Sequence, residues 1–302
     1  MTNQPQEKLW GLVLAGGDGT RLQALTRIIA GAPIPKQYCR ILGSESLLEA
    51  TLARVGAFIP PERTIVIVNR DHLDIARGQL TGVPYENIIV QPCNRDTGPG
   101  IAAALLELGR RDPDAALTVF PSDHFIANTA AFAARVAHMT SVLTMEPDKI
   151  VLLGIRPEQA DPGFGYLVPA SESTGCAGRD VFAVEGFEEK PSRARAEAIM
   201  RRGALWNSFI MAFRLRRLLL LLRRHLPGKV AELEQLPRDS LSRGTAYEGL
   251  ERKALGSEKS RFGPNTASGS TMNSGSRILF LGSTAKDTAK LAPSKFRYSG
   301  RS

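Results

Sequence analysis

Leu12-Val-Leu-Ala-Gly-Gly-Asp-Gly-Thr-Arg-Leu22 decides how the rest of the chain is read. Residues 10–15 form a short apolar run, suited to a strand buried on both faces of a parallel sheet. The run stops at Gly16-Gly17-Asp18-Gly19, where three glycines in four residues admit positive φ and let a bulky group approach the backbone N–H groups. Thr20, Arg21 and Leu22 then lead into a helix start at 23–29. Strand, glycine turn and basic residue at a helix entry bring unpaired amides and a cation together, which suits a chain of phosphates. Two other glycine motifs are excluded. A Walker A loop ends in Gly-Lys-Ser/Thr, and here Gly19 is followed by Thr20-Arg21. The dinucleotide fingerprint needs Gly or Ala three residues after its second Gly; counting from Gly17 and Gly19, that place holds Leu22. An ordinary tight β-to-α turn is the plain alternative.

The chain has 302 residues, 43% of them hydrophobic, enough for one large α/β domain or two smaller ones. No apolar run approaches the length of a membrane span, and residues 1–8 are polar, unlike a secretion signal. Cys39, Cys93 and Cys176 are odd in number and in no metal-ligand spacing, so a reduced, cytoplasmic protein is expected. The net charge of +9 is unevenly spread. Residues 256–302 hold eight Lys or Arg against two acids, a surplus of six, which leaves about +3 on the preceding 255 residues. Basicity therefore belongs to the tail, which argues against a nucleic-acid partner.

Strands are expected at 9–15, 64–68, 88–91, 117–121 and 150–155, with helices at 46–56, 71–80, 97–110 and 129–143 between them. This βαβ alternation predicts an α/β fold, a mostly parallel Rossmann-like sheet with helices on both faces. Ligands of such sheets lie beyond the carboxyl ends of the strands, where the glycine turn falls. After residue 155 the pattern changes to strands at 164–169, 181–187 and 206–213 and helices at 193–202 and 214–226, a smaller extension over the sheet. The leucine face of 214–226 reads as a core-packing helix rather than a membrane-surface one. From residue 256, sixteen of 47 residues are Gly or Ser, and only 278–281 makes an apolar run. Such a composition cannot offset its ordering entropy, so a disordered C-terminal tail is expected.

Pro35-Lys36-Gln37-Tyr38 sets a lysine behind a rigid proline. Together, Gly-Gly-x-Gly-Thr-Arg-Leu and Pro-Lys-Gln at this spacing resemble the signature of the sugar-1-phosphate nucleotidyltransferases. Further pieces follow in that family's order. Gln91-Pro-Cys-Asn-Arg-Asp-Thr-Gly-Pro-Gly-Ile101 resembles the Glu-Pro-x-x-Arg-Asn-Thr-Ala-Pro-Ala-Ile of the mannose-1-phosphate guanylyltransferases, with two alanines replaced by glycine and an Asn by Asp96. Taken alone, this loop is also a good helix N-terminus, with Thr97 as cap and Pro99 in the first turn. Pro121-Ser-Asp-His124 ends a buried run and puts Asp123 at the carboxyl edge of the sheet, where an acid is costly unless it binds something. A helix cap or turn is its plain alternative, and His124 is assigned no role. Gly154-Ile-Arg-Pro157, Gly163-Phe-Gly-Tyr166 and Glu188-Glu-Lys-Pro191 resemble the family's Gly-Ile-x-Pro, Gly-Tyr-Gly-Tyr and Glu-Lys-Pro elements. Trp206-Asn207-Ser208 resembles Trp-Asn-Ser-Gly, with Phe209 in place of the Gly.

The resemblance, which runs from about residue 9 to 236, implies nucleotidyl transfer. The donor would be a nucleoside triphosphate, GTP by the guanylyl-type loop, and the acceptor a sugar-1-phosphate, of which mannose-1-phosphate is the implied example. The products would be an NDP-sugar and pyrophosphate, with Mg²⁺ as cofactor. Implied nucleotide-binding residues are Leu14, Ala15, Gly16, Gly17, Gly19 and Thr20, together with Thr97, Gly98 and Pro99 as base-pocket residues. Arg21, Lys36 and Asp123 are the implied catalytic residues, Asp123 also as the Mg²⁺ ligand. Gly165, Glu189, Lys190 and Asn207 are implied at the sugar phosphate. The implied organisation is a nucleotidyltransferase domain at 1–245, its nucleotide-binding half at 1–155 and its sugar-binding half at 156–245, then a low-complexity basic tail at 246–302. The family's later Gly-Trp-Ser-Asp-x-Gly segment, whose Asp is a second metal ligand, has no counterpart here. Nucleotide binding with impaired turnover is the expectation. Thymidylyl or adenylyl transfer stays open, as does a non-catalytic nucleotide-binding regulatory role, and so does oligomer formation.

Overall fold

In the computed structural model, which describes residues 9–41, 43–91, 97–176, 178, 180–235 and 278–282, β1 (Leu9–Ala15) belongs to a nine-stranded sheet. Its neighbours are β2 (Thr64–Asn69) on one side and β4 (Ala116–Pro121) on the other, both parallel to it, and β3 (Ile88–Gln91) extends the sheet beyond β2. The strand order is β3-β2-β1-β4-β8-β5-β9-β7-β6. Successive strands lie on opposite sides of β1, so the crevice between β1 and β4 is a topological switch point, the place where such sheets bind ligands.

Burial explains why β1 is apolar throughout. Val13 and Ala15 face one core, with Leu48 and Val55 of α2 (Leu47–Gly56), Phe132 and Val136 of α5 (Thr129–Met145) and Ile199 of α6 (Arg193–Met200). Trp10 and Leu12 face a second core, with Leu105 of α4 (Thr97–Arg111), Leu219 of α7 (Leu215–His225) and Val230 of α8 (Pro227–Glu234). Alternate residues thus bury against helices on the two faces, as the unbroken apolar run requires. The leucines of α7 other than the exposed Leu220 pack into this second core, and among the described residues no helix is long and apolar enough to cross a membrane.

Beyond β4 the sheet is mixed. β8 (Leu205–Arg214) runs antiparallel to both β4 and β5 (Ile150–Ile155), and β6 (Gly165–Ser173) and β7 (Val181–Glu189) form an antiparallel pair. The start of β8 also pairs with β6 through Tyr166 opposite Trp206. Following the pairings from β1, only β7 and β8 run against the rest, so the sheet remains mostly parallel.

Three expectations change. The apolar run of the tail forms β9 (Ile278–Gly282), parallel to β5 and antiparallel to β7, because it fills the gap between two strands whose backbone edges otherwise lack a partner. The rest of 236–302 lies outside the described residues. The helix expected at 71–80 is reduced to α3 (Leu73–Arg77) after a 3-10 turn, with Gly78 directly following it. Thr97 is the first residue of α4 rather than its cap, and the preceding 92–96 lie outside the described residues.

Candidate active site

The glycine turn is held by the segment that follows it. The Gln37 side chain donates to the carbonyls of Ala15 at 3.0 Å and Gly17 at 2.6 Å, and the Tyr38 hydroxyl donates to Ala15 at 2.8 Å. Burial pushes the Tyr38 phenol well above its ordinary range despite the hydrogen bond with Gln37, so it stays a donor. Gly19 has φ of 60°, and a Cβ there would fall 3.0 Å from the Lys36 nitrogen and 3.1 Å from Pro35. Only glycine satisfies both constraints. This is the physical reason that the glycine turn and Pro35-Lys36-Gln37 occur together.

Between these segments and β4 lies a cavity of about 470 Å³ at the carboxyl ends of β1 to β4, bordered by Gly16, Gly17, Lys36, Gln91, Asp123 and Phe209. Among the described residues, none beyond the adjoining Gly16 and Asp18 comes within 4 Å of where a Gly17 Cβ would stand, so this side of the turn is open to a ligand. Asp123 is placed by Ser122, whose backbone N–H and hydroxyl both donate to the Leu14 carbonyl, at 3.2 and 2.6 Å. The Lys36 Nζ lies 2.5 Å from Oδ2 of Asp123, and Nε2 of His124 lies 3.9 Å from Oδ1. Burial pushes the Asp123 carboxyl up, but the charges of His124 and Lys36, with hydrogen bonds from Lys36 and the backbone, outweigh it and hold the carboxyl below its usual range. Burial lowers the His124 imidazole against the pull of Asp123, and Lys36 and Arg54 lower it further. His124 is then neutral at pH 7, and among the described residues Lys36 is the lasting counter-charge of Asp123.

Of the residues expected from sequence, Leu14, Gly16, Gly17, Gly19, Lys36, Thr97 and Asp123 border this cavity. Ala15 is fully buried with its carbonyl occupied by Gln37 and Tyr38, so it supports the turn rather than reaching the cavity. Thr20 is exposed in the 3-10 turn Thr20–Leu22, which also contains Arg21, whose side chain lies outside the described residues. Gly98 and Pro99 lie in the first turn of α4, and neither borders the cavity. Gln91, Gln37 and His124 are cavity residues to which the sequence alone assigns no role. Gln91 also accounts for two glycines, Gly16 of the glycine turn and Gly100 of the 91–101 loop. A Cβ on Gly16 would fall 2.9 Å from its Oε1, and one on Gly100 would fall 2.3 Å from its Nε2.

The sugar-phosphate candidates form a separate group. Gly165 on β6 pairs with Glu189 on β7, and a Cβ on Gly165 would meet Oε2 of Glu189 at 2.7 Å. Lys190 Nζ lies 2.9 Å from Oε1 of Glu189, and its backbone takes φ of 48°, with its N–H donating to Phe164 at 3.1 Å. Asn207 lies on β8, two residues before Phe209, so this strand leads from the group to the cavity wall.

The profile of the nucleotidyl transferase family matches residues 10–236. The chain belongs to this family. It is 36% identical over 252 residues to the xanthan biosynthesis protein XanB of Xanthomonas campestris, a match covering 82% of this chain and 51% of XanB. It is 35% identical over 227 residues to a mannose-1-phosphate guanylyltransferase of Escherichia coli, covering 74% of this chain and 46% of that protein. The chain thus spans about half the length of these relatives. A solved structure from Thermus thermophilus, described as a mannose-1-phosphate geranyltransferase, superimposes with a TM-score of 0.70 at 30% identity over 91% of this chain and 74% of the other.

Proposed function

We propose that the chain transfers a nucleotidyl group from a nucleoside triphosphate to a sugar-1-phosphate, releasing pyrophosphate, with GTP and mannose-1-phosphate as the preferred pair. One observation carries the reading: an open glycine turn, a lysine and a carboxylate meet in one cavity at the switch point of a parallel sheet. In this assignment the amides of 16–20 and Arg21 hold the triphosphate. Lys36 offsets charge near the α-phosphate, and Thr97 meets the base at the cavity, with Gly98 and Pro99 behind it in the first turn of α4. A phosphate oxygen of the sugar-1-phosphate attacks the α-phosphorus and pyrophosphate leaves in line. The attacking oxygen is already anionic, so no protein base is needed, and the protein's work is positioning and charge neutralisation. Gly165, Glu189, Lys190 and Asn207 orient the acceptor, which assigns residues 1–155 to the nucleotide and 156–245 to the sugar.

Asp123 fits Mg²⁺, a hard cation that takes one or two carboxylates together with phosphate oxygens. The ion would neutralise the phosphate charges that meet there. Lys36 now neutralises Asp123, and a triphosphate would draw the lysine away while the cation takes the carboxylate. Among the described residues no group of three acidic, His or Cys side chains could hold the ion alone, and phosphate oxygens and waters would complete its shell.

The guanine assignment rests on the loop resemblance and on the relatives' names. A second base stays in view because Gln91 presents both a donor and an acceptor at the cavity, where the guanylyl pattern has Glu. Pyrophosphate release measured over a panel of triphosphates and sugar phosphates tests the proposal, with GTP and mannose-1-phosphate expected to be fastest. Asp123→Ala should lower turnover at least roughly 10²-fold. Faster release with dTTP would overturn the base assignment, and binding without release under every pairing would support the regulatory reading.

A further inference from the structure

We propose that the start of α7 and the buried Arg217 form a second anion site, for inorganic phosphate or a small phosphate monoester, at the edge of the sheet opposite the nucleotide cavity. Arg214, at the end of β8, pairs with Ala116 at the start of β4, whereas the nucleotide cavity lies past Pro121 at the other end of that strand. Five residue steps of strand separate the two ends by about 16 Å. The two sites share no residue.

Three observations converge there. Arg217 is only 7% exposed, yet among the described residues its Nε and Nη2 find no hydrogen-bond partner. A buried guanidinium with unused donors is costly, and an oxyanion is the ligand that would satisfy it. Second, α7 begins without a side-chain cap and without an acid in its first turn. The Leu215 N–H is taken by the Ala115 carbonyl, and among the described residues the amides of Arg216 and Arg217 have no acceptor at the positive end of the helix dipole. Third, Arg217 borders an open cavity of about 360 Å³ together with Arg214, Arg216, Asp114, Asp148 and Leu220.

The carboxylates do not cancel the site. Asp114 is already engaged by Arg216 at 3.1 Å, so its charge is spent on a side chain other than Arg217. The positive end of the α7 dipole adds to the Arg217 charge rather than opposing it. A tetrahedral phosphate suits the set, because it accepts from a guanidinium fork on one side and from helix amides on another. The cavity has room for a small ester as well as for the free ion.

Calorimetric titration of inorganic phosphate in chloride buffer, into the full chain and its variants, tests the site. Arg217→Met keeps the buried stem and removes the donors. It should weaken one phosphate site at least about tenfold, the loss of a charged hydrogen-bond pair. Lys36→Met, in the nucleotide cavity, should leave that same site intact. Phosphate should raise the melting temperature of the wild type but not of Arg217→Met. Arg216→Ala alters an exposed side chain, so it should fold normally and weaken phosphate severalfold. Repeating the titration on Lys36→Met with mannose-1-phosphate separates the two sources: tighter binding than phosphate identifies an ester site, and equal or weaker binding identifies the free ion. If phosphate binding and the melting shift are unchanged in both Arg217→Met and Arg216→Ala, there is no second anion site. Loss of all phosphate binding in Lys36→Met would likewise overturn it, since the nucleotide cavity would then account for every bound phosphate.

Discussion

Phe209 takes a left-handed backbone conformation, φ of 61°, in the wall of the nucleotide cavity. For a residue of its size this costs about 1–2 kcal/mol, which is why glycine is the natural occupant of such a position. The turn is held from both sides. Asn207 Oδ1 accepts from the Phe209 N–H at 3.0 Å, and Ser208 Oγ donates to Leu153 while accepting from Ile210. Asn207 therefore supports the cavity wall through its oxygen, and a sugar ligand would meet it through Nδ2. Phe209→Gly should relieve the backbone strain and roughly offset the lost ring contacts, so stability should change by less than about 1 kcal/mol. Phe120→Ala, which empties a fully buried site, should cost about 3–5 kcal/mol. Urea unfolding of both variants compares them, and equal losses would show that Phe209 is unstrained. At the cavity, Gly16, Gly17, Gly19 and Lys36 were readable because a glycine turn and a lysine behind proline are local signals. The roles of Gln91 and Gln37 were not, because they follow from contacts between segments far apart in the chain. Gln37 lies inside the Pro-Lys-Gln motif, and the useful signal was that the motif's glutamine must have work of its own.

Helix α2 shows how far a local signal reaches. Ser46 Oγ accepts from the Glu49 N–H at 3.0 Å, and the Glu49 carboxylate accepts from the Ser46 N–H at 2.6 Å, a complete capping box. Ser46 also donates to Gln79, whose own amide donates to the Tyr38 carbonyl, so the cap is tied to the segment carrying Lys36. Ser46→Ala should cost about 1 kcal/mol in unfolding free energy. The backbone hydrogen bond from Ser46, aided by Arg40 and opposed by burial, holds the Glu49 carboxyl below its usual range. A depressed carboxyl stabilises the fold above the unfolded value of about 4.3 and loses that contribution as pH falls through the folded value. Urea melts of wild type and Glu49→Gln should therefore differ at pH 7 and converge below about pH 4. A constant difference across that range would separate the helix cap from the titration. The β1 to β5 strands and the longer helices were legible in the sequence because each carries its apolar period over many residues. α3 was overextended because Gly78 breaks a short pattern, and α8 was missed because its two buried residues, Val230 and Leu233, give too little periodicity.

At the scale of the molecule, β9 closes the strands beyond β4 into a ring. β8 pairs with β5, β5 with β9, β9 with β7, β7 with β6, and β6 again with β8. This ring was not legible, because composition marks 256–302 as unable to build a core of its own. A five-residue strand needs no core of its own when it enters a gap already lined by two strands. β5 meets it in parallel from Ile150 opposite Ile278 to Gly154 opposite Gly282, and β7 meets it on the other side from Val181 opposite Leu281. The ring carries Gly165 and Glu189 on β6 and β7 and Asn207 on β8, while the glycine turn, Lys36 and Asp123 follow β1 and β4 outside it. Ending the chain at residue 245 should therefore have an uneven effect. Opening the ring exposes two strand edges and should cost a few kcal/mol, since each ladder hydrogen bond contributes about 1 kcal/mol net and not all are lost outright. Sugar-phosphate affinity should fall with it, whereas triphosphate affinity, which depends on the β1 to β4 end, should hold. Urea unfolding and separate calorimetric titrations of the two substrates check this on the shortened and full chains. Unchanged stability would mean that the β9 pairing contributes nothing in solution. Equal weakening of both substrates would mean that the two halves of the site do not divide along this boundary.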